Sequence, residues 1–140
     1  MAIVYLALGS NLGDRRQYIQ KAIDDLKASR VDVRKVSTII ETDPVGGPQQ
    51  GKYLNAVLKA HTFLSPEELY VVTRSIEHKM GRVRKTINGP RVIDIDILLY
   101  DDLKLVSRRL VIPHPLMLER AFVMKPLEEI APHLCASLKI

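Results

Sequence analysis

The chain has 140 residues, 46% apolar and 26% charged, which is the balance of one globular domain, 1–140, rather than of a disordered or membrane chain. Its longest early apolar run, Ala2 to Leu8, is far short of the roughly 18 residues of a spanning helix, so no membrane partner is expected. The single cysteine, Cys135, rules out an internal disulfide and points to the cytoplasm, and the net charge of +5 implies a polyanionic partner without choosing among nucleotide, nucleic acid and acidic protein.

A first strand is expected over Ile3 to Leu8, broken at Gly9-Ser10-Asn11-Leu12-Gly13. A helix follows, with Ile19, Ala22, Ile23 and Leu26 on one stripe and Asp14 near its N-terminal end. Val31, Val33, Val36 and Ile39-Ile40 predict a second strand, and Asp43 to Pro48 a Gly/Pro-rich loop. Tyr53 to Phe63 reads as a third strand. Ser65-Pro66-Glu67-Glu68 joins an N-cap, a first-turn proline and a capping-box glutamate. The helix it opens carries Leu69, Val72, Ile76 and Met80 inward and stops at Gly81. A fourth strand runs from Arg91 to Tyr100, and a proline-containing tail from Pro113 holds short helical pieces. Strand, helix, strand, strand, helix, strand fits an α+β ferredoxin-like βαββαβ core, helices on one face of a mainly antiparallel sheet.

Alternation along the fourth strand puts Ile93, Ile95, Ile97 and Leu99 on one face and Val92, Asp94, Asp96 and Leu98 on the other. The two aspartates then point the same way with Cα atoms roughly 7 Å apart. Aspartate is a poor strand former, and two half-desolvated carboxylates side by side need a cation. Oxygen ligands so spaced suit Mg²⁺, which keeps several waters and shares its shell with phosphates. The alternative is a solvated acidic face paired with Arg84 or Arg91. The segment just before the pair, Arg82 to Arg91, carries four cations and no acid, and cations beside a metal-ready acidic pair favour a nucleotide. Gly9 to Gly13 matches no phosphate-loop pattern and reads as a tight turn. The histidines show no zinc spacing, although Pro113-His114-Pro115 frames one imidazole stiffly.

Taken in order, Gly9-Ser10-Asn11-Leu12-Gly13, Tyr53-Leu54-Asn55-Ala56, Gly81-Arg82, Gly89-Pro90-Arg91 with Asp94-Ile95-Asp96, Pro113-His114-Pro115 and Glu119-Arg120-Ala121-Phe122 resemble the signatures of the 6-hydroxymethyl-7,8-dihydropterin pyrophosphokinase family of folate biosynthesis. The resemblance implies transfer of pyrophosphate from ATP to the pterin hydroxymethyl group, with AMP released. It implies two Mg²⁺ ions on Asp94 and Asp96, Arg82 and Arg91 at the transferring group, and Glu77, Arg84, Lys85, His114 and Arg120 around the nucleotide. The pterin would lie between Phe122 and Thr42, Pro44 and Val45, with Asn55 at its polar edge and Tyr53 nearby. A monomer without a nucleic-acid partner is expected. An RNA-binding module of the same element order lacks its stacking platform here, since aromatics are only 5% of the chain. A nucleotidyl transferase with a similar carboxylate pair remains open.

Overall fold

The computed structural model of the chain describes residues 1–44, 51–81 and 92–138. Strand β1 (Ala2–Ser10) leads into helix α1 (Arg15–Ala28), then β2 (Val31–Val36), β3 (Ile40–Thr42) and β4 (Tyr53–Thr62). Helix α2 (Pro66–Lys79) returns the chain to β5 (Asp94–Tyr100); a small hairpin, β6 (Leu105–Val106) and β7 (Val111–Ile112), precedes helices α3 (Ala121–Ile130) and α4 (Pro132–Leu138). The main sheet runs β2-β4-β1-β5, with β3 also on β4, and the pairings are antiparallel. This is the expected ferredoxin-like α+β order.

Local chemistry explains the helix starts. Asp14 accepts from the Gln17 N–H and caps α1. At α2 both halves of the capping box form, Ser65 accepting from the Glu68 N–H and Glu68 accepting from the Ser65 N–H. Those bonds hold the Glu68 carboxyl below its ordinary range. Gly81 follows the helix in the left-handed region at φ +86, which a side chain would resist.

The sheet has two differently covered faces. Ile19, Ala22, Ile23 and Leu26 of α1, Leu69 and Ile76 of α2 and the capping Met80 pack on Val4, Leu6, Leu8, Leu58, Ile93, Ile95 and Ile97. Each such aliphatic side chain removed from water contributes about 1.5–3 kcal/mol. The opposite face is covered by Met117 and by Val123, Met124 and Leu127 of α3, resting on Tyr5, Val57, Leu98 and Leu99.

The structure departs from the expected elements between β2 and β3, along β5 and at the β6–β7 hairpin. Leu99 does not share a face with Ile97: the β1–β5 register steps from Leu6↔Ile97 to Tyr5↔Leu99, a bulge that leaves Leu98 unpaired and turns both leucines to the α3 side. The single second strand is split at Ser37, whose hydroxyl accepts from the Val57 N–H while its own N–H donates to the Val57 carbonyl. The β6–β7 hairpin has no counterpart in the periodicity. The fourth strand begins at Asp94, and Arg91 lies outside the described residues.

Candidate active site

On the second face, β1 presents Tyr5, Ala7 and Gly9, side chains that shrink along the strand. Tyr5 is under α3, whereas the sheet around Gly9 is lined by polar groups. Gly9 pairs with Asn55 on one side and with Asp94 on the other, and Ala7 pairs with Asp96. Asn55, Gly9 and Asp94 therefore form one row across three strands, with the backbones of Asn55 and Asp94 roughly 10 Å apart. The missing side chain at Gly9 is a close-approach requirement: a Cβ there would lie 3.0 Å from Asn55 Oδ1 and 3.4 Å from Tyr53 Cδ1.

One end of the row is the Asn55 group. Thr42 pairs with Tyr53, and Asn55, buried at 7% exposure, donates from Nδ2 to Thr42 Oγ1. Pro44 follows two residues after β3. The segment that prompted a phosphate-loop question serves this end differently. Gly13 adopts a left-handed turn at φ +65, Asn11 Nδ2 donates to the Gly51 carbonyl at 3.2 Å, and Arg15 donates to the Lys52 carbonyl at 2.9 Å while pairing with Glu41 at 2.9 Å. The chain entering β4 is thus tied to β3 and α1.

The other end is the carboxylate group. Asp94 and Asp96 are half-buried and alternate with the core residues Ile93, Ile95 and Ile97, as the sequence predicts. The bulge brings His114 to this strand, because the unpaired Leu98 carbonyl accepts the His114 N–H at 3.0 Å. His114 Nδ1 accepts from the Leu116 N–H at 3.3 Å, which leaves Nε2 as the protonated nitrogen of the neutral ring. Burial, then the Arg120 cation, lower the imidazole pKa below its ordinary value, against an opposing pull from Asp94. Arg120 lies over the Phe122 ring at 5.5 Å, and Phe122 is partly buried against the second core cluster.

Glu77 sits elsewhere. It is 2% exposed on α2, under the first face, and takes the Ile95 N–H at 2.7 Å. Beside it is a residue that the sequence reading missed: Arg74 bridges Glu77, the Ile95 carbonyl and Asp96, 3.9 Å away. Its spacing of three from Glu77 on one helix was the available signal. Val45, Arg82, Arg84, Lys85 and Arg91 lie outside the described residues.

The donor set fits a hard divalent cation shared with a substrate. Two carboxylates on one face supply oxygen ligands, and among the described residues no group of three or more His, Cys, Asp or Glu could hold a metal alone. Most of the shell would then come from water and phosphate oxygens, as magnesium prefers.

Fold and site together define a ferredoxin-like domain with a carboxylate pair and a buried amide on the less covered half of one sheet face. The sequence profile of the 7,8-dihydro-6-hydroxymethylpterin-pyrophosphokinase (HPPK) family matches residues 5–132. The chain belongs to that family. It is 46% identical over 129 residues to a 2-amino-4-hydroxy-6-hydroxymethyldihydropteridine pyrophosphokinase of Bacillus subtilis, covering 91% of this chain and 77% of that one. It is 47% identical over 133 residues to the enzyme of the same name from Aquifex aeolicus, covering 95% and 82%. Among solved structures, Plasmodium falciparum HPPK-DHPS wild type with SDX-DHP superposes with a TM-score of 0.69 at 17% identity over 94% of this chain, and an HPPK-DHPS in complex with substrates with 0.71 at 15% over 94%. These likenesses show the fold, and the chain spans 40% of each of those longer chains.

Proposed function

We propose that the chain transfers pyrophosphate from ATP to 6-hydroxymethyl-7,8-dihydropterin, a step of folate biosynthesis, at the half-face bounded by Asn55 and Asp94. The observation that carries this reading is the shared row: an amide suited to a heterocycle's polar edge stands two strands, about 10 Å of backbone spacing, from a carboxylate pair suited to a metal–phosphate group, with glycine as the floor between them. A flat bicyclic ring lies on Asn55, bounded by Thr42, Pro44 and Tyr53 on one side and Phe122 on the other, and Val45 is assigned to the same substrate. Its hydroxymethyl arm extends toward Asp94 and Asp96.

The pterin hydroxymethyl oxygen attacks the β-phosphorus of ATP, the bond from that phosphorus to the oxygen bridging it to the α-phosphorus breaks, AMP departs and the hydroxyl proton passes to solvent. Two Mg²⁺ ions held by Asp94 and Asp96 would supply neutralisation of phosphate charge and alignment of the reacting oxygens. Arg82 and Arg91 spread the charge of the transferring group, and Arg84, Lys85, His114, Arg120 and, from the α2 side, Glu77 serve the nucleotide. A neutral His114 offers its Nε2–H to a phosphate oxygen as a donor that needs no proton uptake. The chain acts as a cytoplasmic monomer; its one cysteine, Cys135, is buried in the second core cluster.

Chromatography of nucleotide products tests the reaction. AMP is expected only when ATP, Mg²⁺ and the dihydropterin are all present. Release of inorganic pyrophosphate in place of AMP would instead make the chain a nucleotidyl transferase.

A further inference from the structure

Among the described residues β5 ends the sheet, so alternate residues along it turn their backbone groups away from β1 with no other described strand to meet them. Ile95 is one of these, and it lies between the two site aspartates. Its N–H donates to Glu77 Oε2 at 2.7 Å and its carbonyl accepts from Arg74 Nη2 at 2.7 Å. The two side chains are themselves paired, Arg74 Nη1 lying 2.9 Å from Glu77 Oε1. At Ile95 these two side chains take the backbone groups that a further strand would take. A carboxylate with 2% exposure is costly unless its lone pairs are met, so packing alone would have been served better by an apolar side chain. The same Nη2 lies 3.9 Å from Asp96 Oδ1, and the guanidinium is further fixed over the Tyr70 ring at 5.1 Å.

We infer that Arg74 and Glu77 are a positioning pair for the metal-binding carboxylate of Asp96, holding the edge of β5 at Ile95 and restricting where the Asp96 side chain can turn. The inference rests on the reading of Asp94 and Asp96 given above. Neither residue is catalytic. Arg74 acts through the strand and through Asp96, and only a planar fork can reach the Ile95 carbonyl, Glu77 and Asp96 together; lysine cannot.

The test is a titration of Mn²⁺ into the full chain with a non-hydrolysable ATP analogue, free Mn²⁺ being read by electron paramagnetic resonance. In Arg74→Met, half-saturation is expected to rise about tenfold, the usual effect of losing a group that orients a metal ligand. Arg74→Lys gives a rise of similar size despite its charge. In the two Arg74 variants, dihydropterin binding, followed by fluorescence, and binding of the nucleotide without metal are expected to stay within about twofold of the parent. Glu77→Gln keeps an oxygen for the Ile95 N–H and removes only the charge, so it folds and shows the same shift at smaller size. Unchanged Mn²⁺ binding in these variants overturns the inference. So does a parallel loss of metal, pterin and nucleotide binding together with melting temperature in the Arg74 variants, which marks a merely structural pair. The titration does not depend on turnover: a parent chain that binds Mn²⁺ but releases no AMP refutes the diphosphotransferase reading alone, and an AMP-releasing parent whose variants bind Mn²⁺ equally well refutes the positioning pair alone.

Discussion

Replacing Gly9 by alanine adds one methyl group at the middle of the site row, and the structure sets what that methyl meets. It would lie 3.0 Å from Asn55 Oδ1 and 3.4 Å from Tyr53 Cδ1, so the Asn55 amide must yield by a few tenths of an ångström. Asn55 is buried and bonded to Thr42, so it moves only by disturbing that bond. Two stability terms oppose each other. Alanine stiffens the unfolded chain and gains about 0.5–1 kcal/mol, whereas crowding a packed site costs about 1–3 kcal/mol. The net loss is about 1 kcal/mol, a fall in melting temperature of roughly 3–5 °C for a chain of this size. Binding suffers more selectively. A displaced amide loses most of one hydrogen bond to the heterocycle, about 1–1.5 kcal/mol, which raises the pterin KM roughly tenfold. Steady-state AMP release with the pterin and ATP varied in turn, beside thermal melting, reads both effects. An unchanged pterin KM, or equal rises for pterin and ATP, would refute the placement of the heterocycle on Asn55.

Two further predictions concern the framework. The His114 pKa is lowered in the folded chain by burial, then by Arg120, so folding disfavours its protonation. The stability this contributes is present above 6.5, the unfolded value, and is lost as pH falls through the folded one. His114→Asn is therefore expected to flatten the loss of stability between neutrality and mild acid in denaturant titrations, and an unaltered slope would contradict the burial of the ring. Ser65→Ala removes the hydroxyl half of the capping box on α2 and is expected to cost about 1 kcal/mol in urea unfolding with no change in kcat.

Much of this arrangement was written locally in the chain. The caps of both long helices, the stripe Ile19, Ala22, Ile23 and Leu26, and the common direction of Asp94 and Asp96 follow from residue type and spacing, because neighbours within a few residues decide them. What could not be read depends on partners far along the chain. The bulge at Leu98 turns Leu99 away from Ile97 only because β5 also meets β1 and the segment of His114. The break at Ser37 needs Val57 to accept and donate. The partners of Arg74 and Glu77 at Ile95 become visible only when α2 is laid beside the edge of β5. Glycine 9 is a similar case. In sequence it is a strand end before a turn, and its purpose appears only when Asn55 is placed across from it.

The claim that the carboxylates on β5 carry the chemistry is tested most directly by Asp96→Ala, assayed for AMP release across a range of Mg²⁺ concentrations with melting as a control. The ion pair lost with Arg74 is long, at 3.9 Å, and worth at most about 1 kcal/mol, so the fold is expected to melt within a few degrees of the parent. Turnover is expected to fall by about 10³-fold or more, at every Mg²⁺ concentration. A well-folded Asp96→Ala chain with full activity and the parent's metal dependence would contradict the account.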